Sequence, residues 1–265
     1  MDLQLTGKRA IITGGSKGIG LAVAHALAAE GVDVVLAARG HETLEKAAAE
    51  VAERSGRRAI PVVTDTGDDD SVRNLVARAV EELGGVDILV NNASNQSIGA
   101  GFPDLAGTTD EAFWGDVNIK VVGYLRAARA VAPHLVAQGW GRIINVSGLG
   151  YRQTHSIVRS IRNVSVAALT KNLADELGPH GVNVTVVHPG QTRTESKTAQ
   201  YQAGADKAGV DLATYEKDLA NNSIGRIVDA TEVADVIAFL ASPRSVSITG
   251  DAVAAGGGLL GSVNY

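Results

Sequence analysis

The sequence contains no cysteine, and this absence removes several kinds of chemistry at once. Disulfides, thiolate nucleophiles, and zinc or iron–sulfur sites held by cysteine are all excluded. The six histidines are scattered and do not stand at the short spacings typical of metal ligands. We therefore expect no metal ion held by the protein, and any catalysis must depend on other side chains.

Positive charge and long apolar runs are also scarce. The net charge is −5 and no run of lysine and arginine stands out, so the chain offers no basic patch to nucleic acid. No apolar run approaches the roughly 20 residues that cross a bilayer. The first residues also lack an apolar stretch of signal-peptide length. We expect a cytoplasmic protein that binds neither nucleic acid nor membrane.

The apolar residues that are present follow a regular order. Short β-branched runs alternate with longer segments in which apolar residues recur at helical spacing. Strands that are apolar on both faces predict an α/β fold with a doubly wound parallel sheet, flanked by helices on both faces. The length suits one domain over residues 1–265. The predicted strands are residues 9–13, 32–37, 59–63, 87–91, 142–146 and 182–187.

The stretch from residue 192 to residue 225 is the least regular part of the sequence. It is polar and rich in alanine, and it follows the last predicted strand, beside the edge of the sheet where a ligand cleft is expected. We predict that this segment is a mobile lid on the substrate side.

A glycine-rich segment, TGGSKGIG at residues 13–20, joins the first predicted strand to the first predicted helix. Gly14, Gly18 and Gly20 would permit a tight turn, close approach of backbone N–H groups to a pyrophosphate, and tight packing of helix on strand. The helix dipole would add a favourable field for phosphate. The segment predicts a Rossmann-type dinucleotide site, and the alternative is a tight glycine turn without a ligand.

The end of the second predicted strand indicates which dinucleotide is bound. An acidic residue at this position would hold the ribose hydroxyls of NAD, but the chain has Ala38 followed by Arg39. Arg39 can pair with a 2′-phosphate, and Lys17 in the glycine-rich loop adds a second cation. Both residues favour NADP(H) over NAD(H), unless they are only solvated surface charges.

Further motifs occur in a fixed order along the chain: NNAS at 91–94, Asn118, INVSG at 144–148, HPGQTRT at 188–194 and SITGDAVAAGGG at 247–258. Together with TGGSKGIG they make the chain resemble the classical short-chain dehydrogenases/reductases over nearly its whole length. The resemblance implies an oxidoreductase that transfers hydride between a nicotinamide cofactor and a small carbonyl, alcohol or conjugated substrate. The cofactor contacts predicted from the loop and the resemblance are Gly14, Ser16, Lys17, Gly18, Ile19, Gly20, Arg39, Asp65, Asn91, Ala93, Pro189, Gly190 and Thr194.

Some of these contacts have simpler explanations. Asp65 precedes the segment DDDSV and could instead be a helix cap. Asn91 could be a structural hydrogen-bonding residue between strands. Pro189 and Gly190 could simply turn the chain.

The resemblance also implies four catalytic positions, of which the chain keeps two. Asn118 matches the asparagine that orders a water in proton relay, and Ser147 matches the serine that binds the carbonyl oxygen. Asn118 lies in a helical pattern, where asparagine is unfavourable, and this favours a functional role. The alternative explanation is a bent or capped helix. Ser147 could be an ordinary turn serine.

The tyrosine and lysine of the family are missing. The segment from Ala167 onward matches the family pattern without gaps, which places Arg159 at the tyrosine position and Asn163 at the lysine position. No Tyr-x-x-x-Lys occurs anywhere in the chain. Arg159 cannot cycle a proton at neutral pH, but with Ser147 it could stabilise an oxyanion or bind a substrate carboxylate. Asn163 could still hydrogen-bond the nicotinamide ribose.

Two functions remain open. The first is an NADP(H)-dependent oxidoreductase with non-standard proton delivery, in which Tyr151 or His155 could be a substitute acid or could only line the pocket. The second is a catalytically deficient nucleotide-binding protein that acts as a sensor or partner subunit. The resemblance further implies a homotetramer or dimer, assembled through helices at about 109–138 and 156–177 and through the C-terminal segment.

Overall fold

The computed structural model describes residues 1–95, 105–152, 154 and 156–261. Seven of its strands form one parallel sheet in the order β3-β2-β1-β4-β5-β6-β9. The order reverses between β1 and β4, so the prediction of a doubly wound parallel sheet is confirmed. The strands are β1 (Arg9–Thr13), β2 (Asp33–Ala38), β3 (Ala59–Val63), β4 (Ile88–Asn91), β5 (Gly141–Val146), β6 (Val182–Pro189) and β9 (Ala252–Ala255), and the short pair β7 (Thr192–Arg193) and β8 (Val228–Asp229) lies apart.

Helices cover both faces of this sheet. One apolar layer contains buried residues of α1, α2 and α9, and the other contains residues of α3, α5 and α6. The helices are α1 (Gly18–Ala29), α2 (His41–Ser55), α3 (Asp69–Leu83), α4 (Asp110–Val117), α5 (Gly123–Gln138), α6 (Ile157–Leu177), α7 (Glu195–Ala208), α8 (Leu212–Ala220) and α9 (Ala230–Ala241). No helix in the part of the chain described is both long and apolar enough to cross a membrane.

Strand β1 shows why its sequence is apolar on both faces. Ala10 and Ile12 pack in the layer of α1 and α9, whereas Ile11 packs in the opposite layer. Successive side chains of a strand point to opposite faces, so a central strand needs apolar residues at every position. Burial of each isoleucine contributes roughly 1.5–3 kcal/mol.

Local signals set the helix ends. The side chain of Asp68 accepts a hydrogen bond from the backbone N–H of Ser71 and begins α3. Gly84 ends the same helix with φ of 78°, in the left-handed region that glycine adopts without steric cost. Asp229 and Glu232 form a capping box at the start of α9.

Two segments at the carboxyl ends of the strands depart from the sequence pattern. Residues Asn118–Val122 form a π-helical turn that continues α4 into α5. The stretch from 192 to 225 is more regular than the sequence predicts, because it contains α7 and α8. These two helices pack on a small apolar cluster of Tyr201, Ala220 and Ile227. The three residues are not adjacent in the sequence, so they form no continuous apolar run.

Candidate active site

A cleft of about 1300 Å³ lies at the carboxyl ends of the parallel strands. Loops that follow neighbouring strands meet at this edge, and the reversal of strand order between β1 and β4 leaves a crevice between them. The structure therefore brings together residues that are far apart in the sequence. The predicted site residues that line the cleft are Gly14, Ser16, Lys17, Gly18, Ile19, Arg39, Asp65, Ala93, Ser147, Arg159, Asn163, Pro189, Gly190 and Thr194.

The glycine-rich loop forms a cradle in which the backbone is packed too closely for a side chain at Gly14 or Gly20. A Cβ atom at Gly20 would lie 2.1 Å from the carbonyl oxygen of Gly14, and one at Gly14 would lie 2.8 Å from the side-chain nitrogen of Asn92. Gly14 and Gly18 also have φ of 66° and 55°, in the left-handed region. The loop thus places backbone N–H groups at the start of α1, where an anion is favoured.

An acidic side chain already occupies part of this cradle. The backbone N–H of Gly18 donates a hydrogen bond of 3.0 Å to a carboxylate oxygen of Glu195, the first residue of α7. The methyl group of Thr194 lies over the same glycine. A carboxylate is an oxyanion, so the hydrogen bond from Gly18 is of the kind that a phosphate oxygen would also accept at this helix start.

The polar side chains that would read the adenosine half of a dinucleotide lie beyond the cradle. Lys17 and Arg39 are exposed, and both line the cleft. Asp65 lines it as well, and its carboxylate accepts a hydrogen bond from the backbone N–H of Gly67. Asp65 is not the helix cap of α3, since Asp68 has that role.

Three predicted residues do not line the cleft. Gly20 packs beneath the loop against Gly14. The side chain of Asn91 lies in the interior of the sheet and donates a hydrogen bond of 3.0 Å to Asn145, as the structural alternative expects. Asn118 begins the π-helical turn and donates from its side chain to the carbonyl oxygen of Gly67.

Asn92 lines the cleft instead of its neighbour Asn91. Its side chain donates a hydrogen bond of 3.1 Å to the carbonyl oxygen of Gly14 and so braces the glycine-rich loop. Alternation along β4 gives the signal: Asn91 is the last residue of the strand and points inward, so the next residue faces the opposite side.

Ser147, Arg159 and Asn163 converge at the other end of the cleft. Ser147 directly follows β5, and its hydroxyl donates a hydrogen bond of 3.4 Å to the backbone carbonyl of Asn163. Arg159 and Asn163 are four residues apart on α6, so they share one face of that helix. Asn163 is 2% exposed and its side-chain oxygen has no hydrogen-bond partner, which leaves a buried acceptor beside Ser147.

The structure adds Lys120, which the sequence analysis did not single out. Lys120 lies in the π-helical turn, lines the cleft, and is 4% exposed. Its ammonium group donates a hydrogen bond of 3.0 Å to the carbonyl oxygen of Ser147. Burial, together with the positive charge of Arg162, lowers the pKa of Lys120 to about 7. A lysine two residues after Asn118, between Ile119 and Val121 in an apolar stretch, is the signal that could have identified it.

Cationic groups dominate this end of the cleft. Arg162 is buried and pairs with Asp116 at 2.6 Å. Burial, and then repulsion from Arg162, lowers the pKa of Arg159. Burial, and then repulsion from Arg159, lowers the pKa of Lys197 on α7. Among the described residues that line the cleft, Lys120, Arg159, Arg162 and Lys197 are therefore cations that lie close to one another.

The two residues predicted as substitute acids, Tyr151 and His155, fall where the structure describes no side chain. His155 lies outside the described residues, and so does the side chain of Tyr151. Among the described residues, no three histidine, aspartate or glutamate side chains come together as metal ligands.

Comparison with known proteins identifies the class to which this fold and cleft belong. The pattern of the family described as short chain dehydrogenase matches residues 8–204. Because the match covers most of the chain, the protein belongs to the short chain dehydrogenase family. It is an oxidoreductase of this family, and its parallel sheet is of the Rossmann type.

Individual relatives align over nearly their whole length. An oxidoreductase of Methylorubrum extorquens is 34% identical, over 97% of this chain and 99% of that protein. The short-chain reductase protein NovJ of Streptomyces niveus is 34% identical, over 94% and 92%. The structure of L-sorbose reductase from Gluconobacter frateurii, complexed with NADPH and L-sorbose, is similar with a TM-score of 0.91 and 30% identity, over 99% of this chain and 100% of that chain.

Proposed function

We propose that this protein is an NADP(H)-dependent oxidoreductase that reduces or oxidises a small carbonyl, alcohol or conjugated substrate, with its proton delivered by a group other than tyrosine. The observation that carries the proposal is the single cleft that joins the glycine cradle to Ser147, Arg159 and Asn163. A nucleotide bound in the cradle would extend toward these side chains, where a substrate can meet it.

The residues present fit a nicotinamide dinucleotide. The backbone of Gly14 to Gly20 would hold the pyrophosphate, in the place that the Glu195 carboxylate now contacts. Lys17 and Arg39 would pair with a 2′-phosphate. The unpartnered side-chain oxygen of Asn163 would accept a hydrogen bond from a ribose hydroxyl.

The chemistry divides between the cofactor and the chain. Once bound, NADPH supplies hydride to the substrate carbon. Ser147 and Arg159 donate hydrogen bonds to the oxygen, and in a partly dry cleft these donors stabilise its negative charge. Arg159 keeps its own proton, because a guanidinium does not release one at neutral pH.

Lys120 is the group that we assign to proton delivery. Of the described side chains that line the cleft, it combines burial next to Ser147 with a pKa of about 7. An acid works best when its pKa is close to the working pH. In reduction the proton leaves the Lys120 ammonium for the substrate oxygen, and solvent then protonates the neutral amine again.

A second function is favoured by one specific feature, the absence of the family's tyrosine and lysine from the sequence. In that case the protein would bind NADPH as a sensor or partner subunit without turnover.

We also propose assembly as a homotetramer, for which the exposed apolar side chains of α6 provide a surface.

The two functions separate in one experiment. The dissociation constant of NADPH is measured by its fluorescence, and NADPH consumption is then followed with a panel of ketones, quinones and enones. The oxidoreductase proposal expects both binding and consumption with at least one substrate class. Tight binding without consumption across the panel would favour the sensor or partner subunit.

A further inference from the structure

We propose that the substrate of this enzyme carries an oxyanion group, a carboxylate or a phosphate monoester, that binds between Arg159 on α6 and Lys197 on α7. This inference rests on the proposed oxidoreductase function and names its substrate class. It concerns the part of the cleft that Arg159 and Lys197 line together with Ser147.

The first argument is the balance of charge. Lys120, Arg159, Arg162 and Lys197 line this part of the cleft. The carboxylate packed against them, Asp116, is held by Arg162 in a buried ion pair. Arg193 binds Glu216 and Asp229. Glu195 keeps its negative charge, because the backbone N–H of Gly18 from which it accepts is neutral. Among the described residues, the cations of this part of the cleft therefore outnumber the carboxylates Asp116 and Glu195.

The second argument is that the cations are close enough to disfavour one another. The charge of Arg159 acts on both Lys120 and Lys197, and the charge of Arg162 acts on Arg159. Like charges gathered in a half-buried cleft cost free energy until an opposite charge joins them. A bound oxyanion would offset that cost, so the field of these cations attracts one.

The third argument selects Arg159 and Lys197 from the four. Arg162 is 7% exposed and is held in its ion pair with Asp116, and Lys120 is the group already assigned to the reacting oxygen. Arg159 and Lys197 are only half-buried, so a ligand can reach them. A guanidinium forms two parallel hydrogen bonds with a carboxylate or phosphate, and an ammonium adds a point charge.

The position of Lys197 adds a consequence for the lid predicted over residues 192–225. Lys197 lies in the first turn of α7, two residues after Glu195, and close enough to Arg159 of α6 for that charge to lower its pKa. An oxyanion bound to both Arg159 and Lys197 would therefore connect the segment 192–225 to helix α6, which packs against the sheet. Binding of the substrate anion would hold the segment over the reacting atoms.

The competing role for these cations is to bind the cofactor's pyrophosphate, so the test uses protein saturated with NADPH. Benzoate, phenyl phosphate and benzamide are titrated into it by calorimetry; the first two differ in their oxyanion and the third is neutral. At least one anion is expected to bind about tenfold or more tightly than benzamide. Whichever anion binds more tightly identifies the substrate group as a carboxylate or a phosphate.

Variants then locate the site. Arg159→Gln and Lys197→Gln should each remove most of the anion preference, whereas Lys171→Gln, an exposed lysine on the same α6, should leave it unchanged. Equal binding of all three probes would overturn the inference. So would variants that weaken NADPH but keep the anion preference, because the cations would then serve the cofactor.

The proposed function can fail separately. If the native chain does not bind NADPH, the oxidoreductase proposal fails, and the same three probes are titrated into cofactor-free protein. An anion preference that Arg159→Gln abolishes there still supports the oxyanion site. The absence of such a preference contradicts it.

Discussion

At the scale of single residues, the proposed preference for NADP(H) rests on Lys17 and Arg39. Both are exposed side chains that line the cleft and have no role in the core. Charged hydrogen bonds to a phosphate contribute roughly 1.5–3 kcal/mol each, and NADH lacks the 2′-phosphate that would receive them.

The double change Lys17→Gln and Arg39→Gln should therefore weaken NADPH binding by about tenfold or more while leaving NADH within about twofold. Fluorescence titration with both nucleotides measures the ratio. Arg54→Gln, an exposed change on α2, is the matched control. Equal weakening of NADPH and NADH would contradict the assignment of the two cations to the 2′ position.

Lys120 is the second residue whose role can be measured. Reduction needs its protonated form, so the rate of the native chain should be full below pH 7 and should fall as the pH rises through about 7. Lys120→Met should lower kcat by roughly 10² to 10⁴ at neutral pH and should remove this limb of the profile. A variant that keeps the native profile would remove Lys120 from proton delivery.

The stability of the same variant gives an independent reading. The lowered pKa means that the folded state disfavours the charged amine. The penalty is fully present below about pH 7 and disappears as the pH rises toward the ordinary lysine pKa of 10.5. Lys120→Met should therefore raise the melting temperature at pH 6 more than at pH 9, whereas Lys171→Met should not. The same gain in melting temperature at both pH values would show that the charge of Lys120 does not destabilise the folded state.

The predictability of these residues follows from how local their requirements are. Gly14, Gly18 and Gly20 are readable from the sequence, because a turn with backbone donors at a helix start needs glycine at fixed positions. The burial of Lys120 cannot be predicted from the sequence, since it depends on how the π-helical turn packs against α6, which is distant in the sequence. Asn91 and Asn92 differ by one residue of strand alternation, and only the exact end of β4 decides which one faces the cleft.

At the scale of elements, the contact between α7 and the start of α1 is the feature with the clearest consequence. Glu195 holds the backbone N–H of Gly18, which a cofactor pyrophosphate would also require. The two anions would compete for this donor and repel each other, so α7 has to release it for the nucleotide to bind fully.

Glu195→Gln should consequently bind NADPH more tightly, by about three- to tenfold, because the charge next to the pyrophosphate is lost. Glu45→Gln on the outer side of α2 provides a matched loss of one carboxylate. The comparison is a pair of nucleotide titrations at equal ionic strength. Unchanged or weaker NADPH binding in Glu195→Gln would show that the carboxylate does not compete.

The elements themselves were predictable to different degrees. Strands β1 to β6 and the helices α1, α2 and α3 follow from apolar periodicity and from glycine at the helix ends, whereas the short strands β7, β8 and β9 were not predicted. Helices α7 and α8 have polar sequences whose packing depends on a few residues such as Tyr201 and Ile227. The π-helical turn at Asn118–Val122 has no periodic signal of its own, because one added residue in a helix barely changes the pattern.

At the scale of the whole molecule, α6 presents two different faces. Arg159 and Asn163 face the cleft, while Ile157, Ile161 and Val164 are 41%, 44% and 51% exposed on another side. Residues spaced by three and four along a helix form one stripe. An exposed apolar stripe on a helix that the family resemblance assigns to subunit contact supports the proposed homotetramer.

Light scattering should therefore give a mass near four times the 27.3 kDa of one chain. The double change Ile161→Lys and Val164→Lys should shift the mass to dimers or monomers, since charge cannot be buried at an apolar contact without a large cost. Val246→Lys, at an exposed position outside α6, should leave the assembly intact. A native chain that scatters as a monomer would contradict the tetramer.

The most direct test of the central claim compares NADPH oxidation by the native chain with that by the double change Arg159→Tyr and Asn163→Lys. Both proteins are assayed on one panel of ketones, quinones, enones and oxo acids. We expect the native chain to turn over and the double change to slow it, because in the proposed mechanism Arg159 and Lys120 replace the family's tyrosine and lysine. Turnover by the altered chain alone would contradict the account and would mean that the natural protein binds NADPH without ordinary carbonyl reduction.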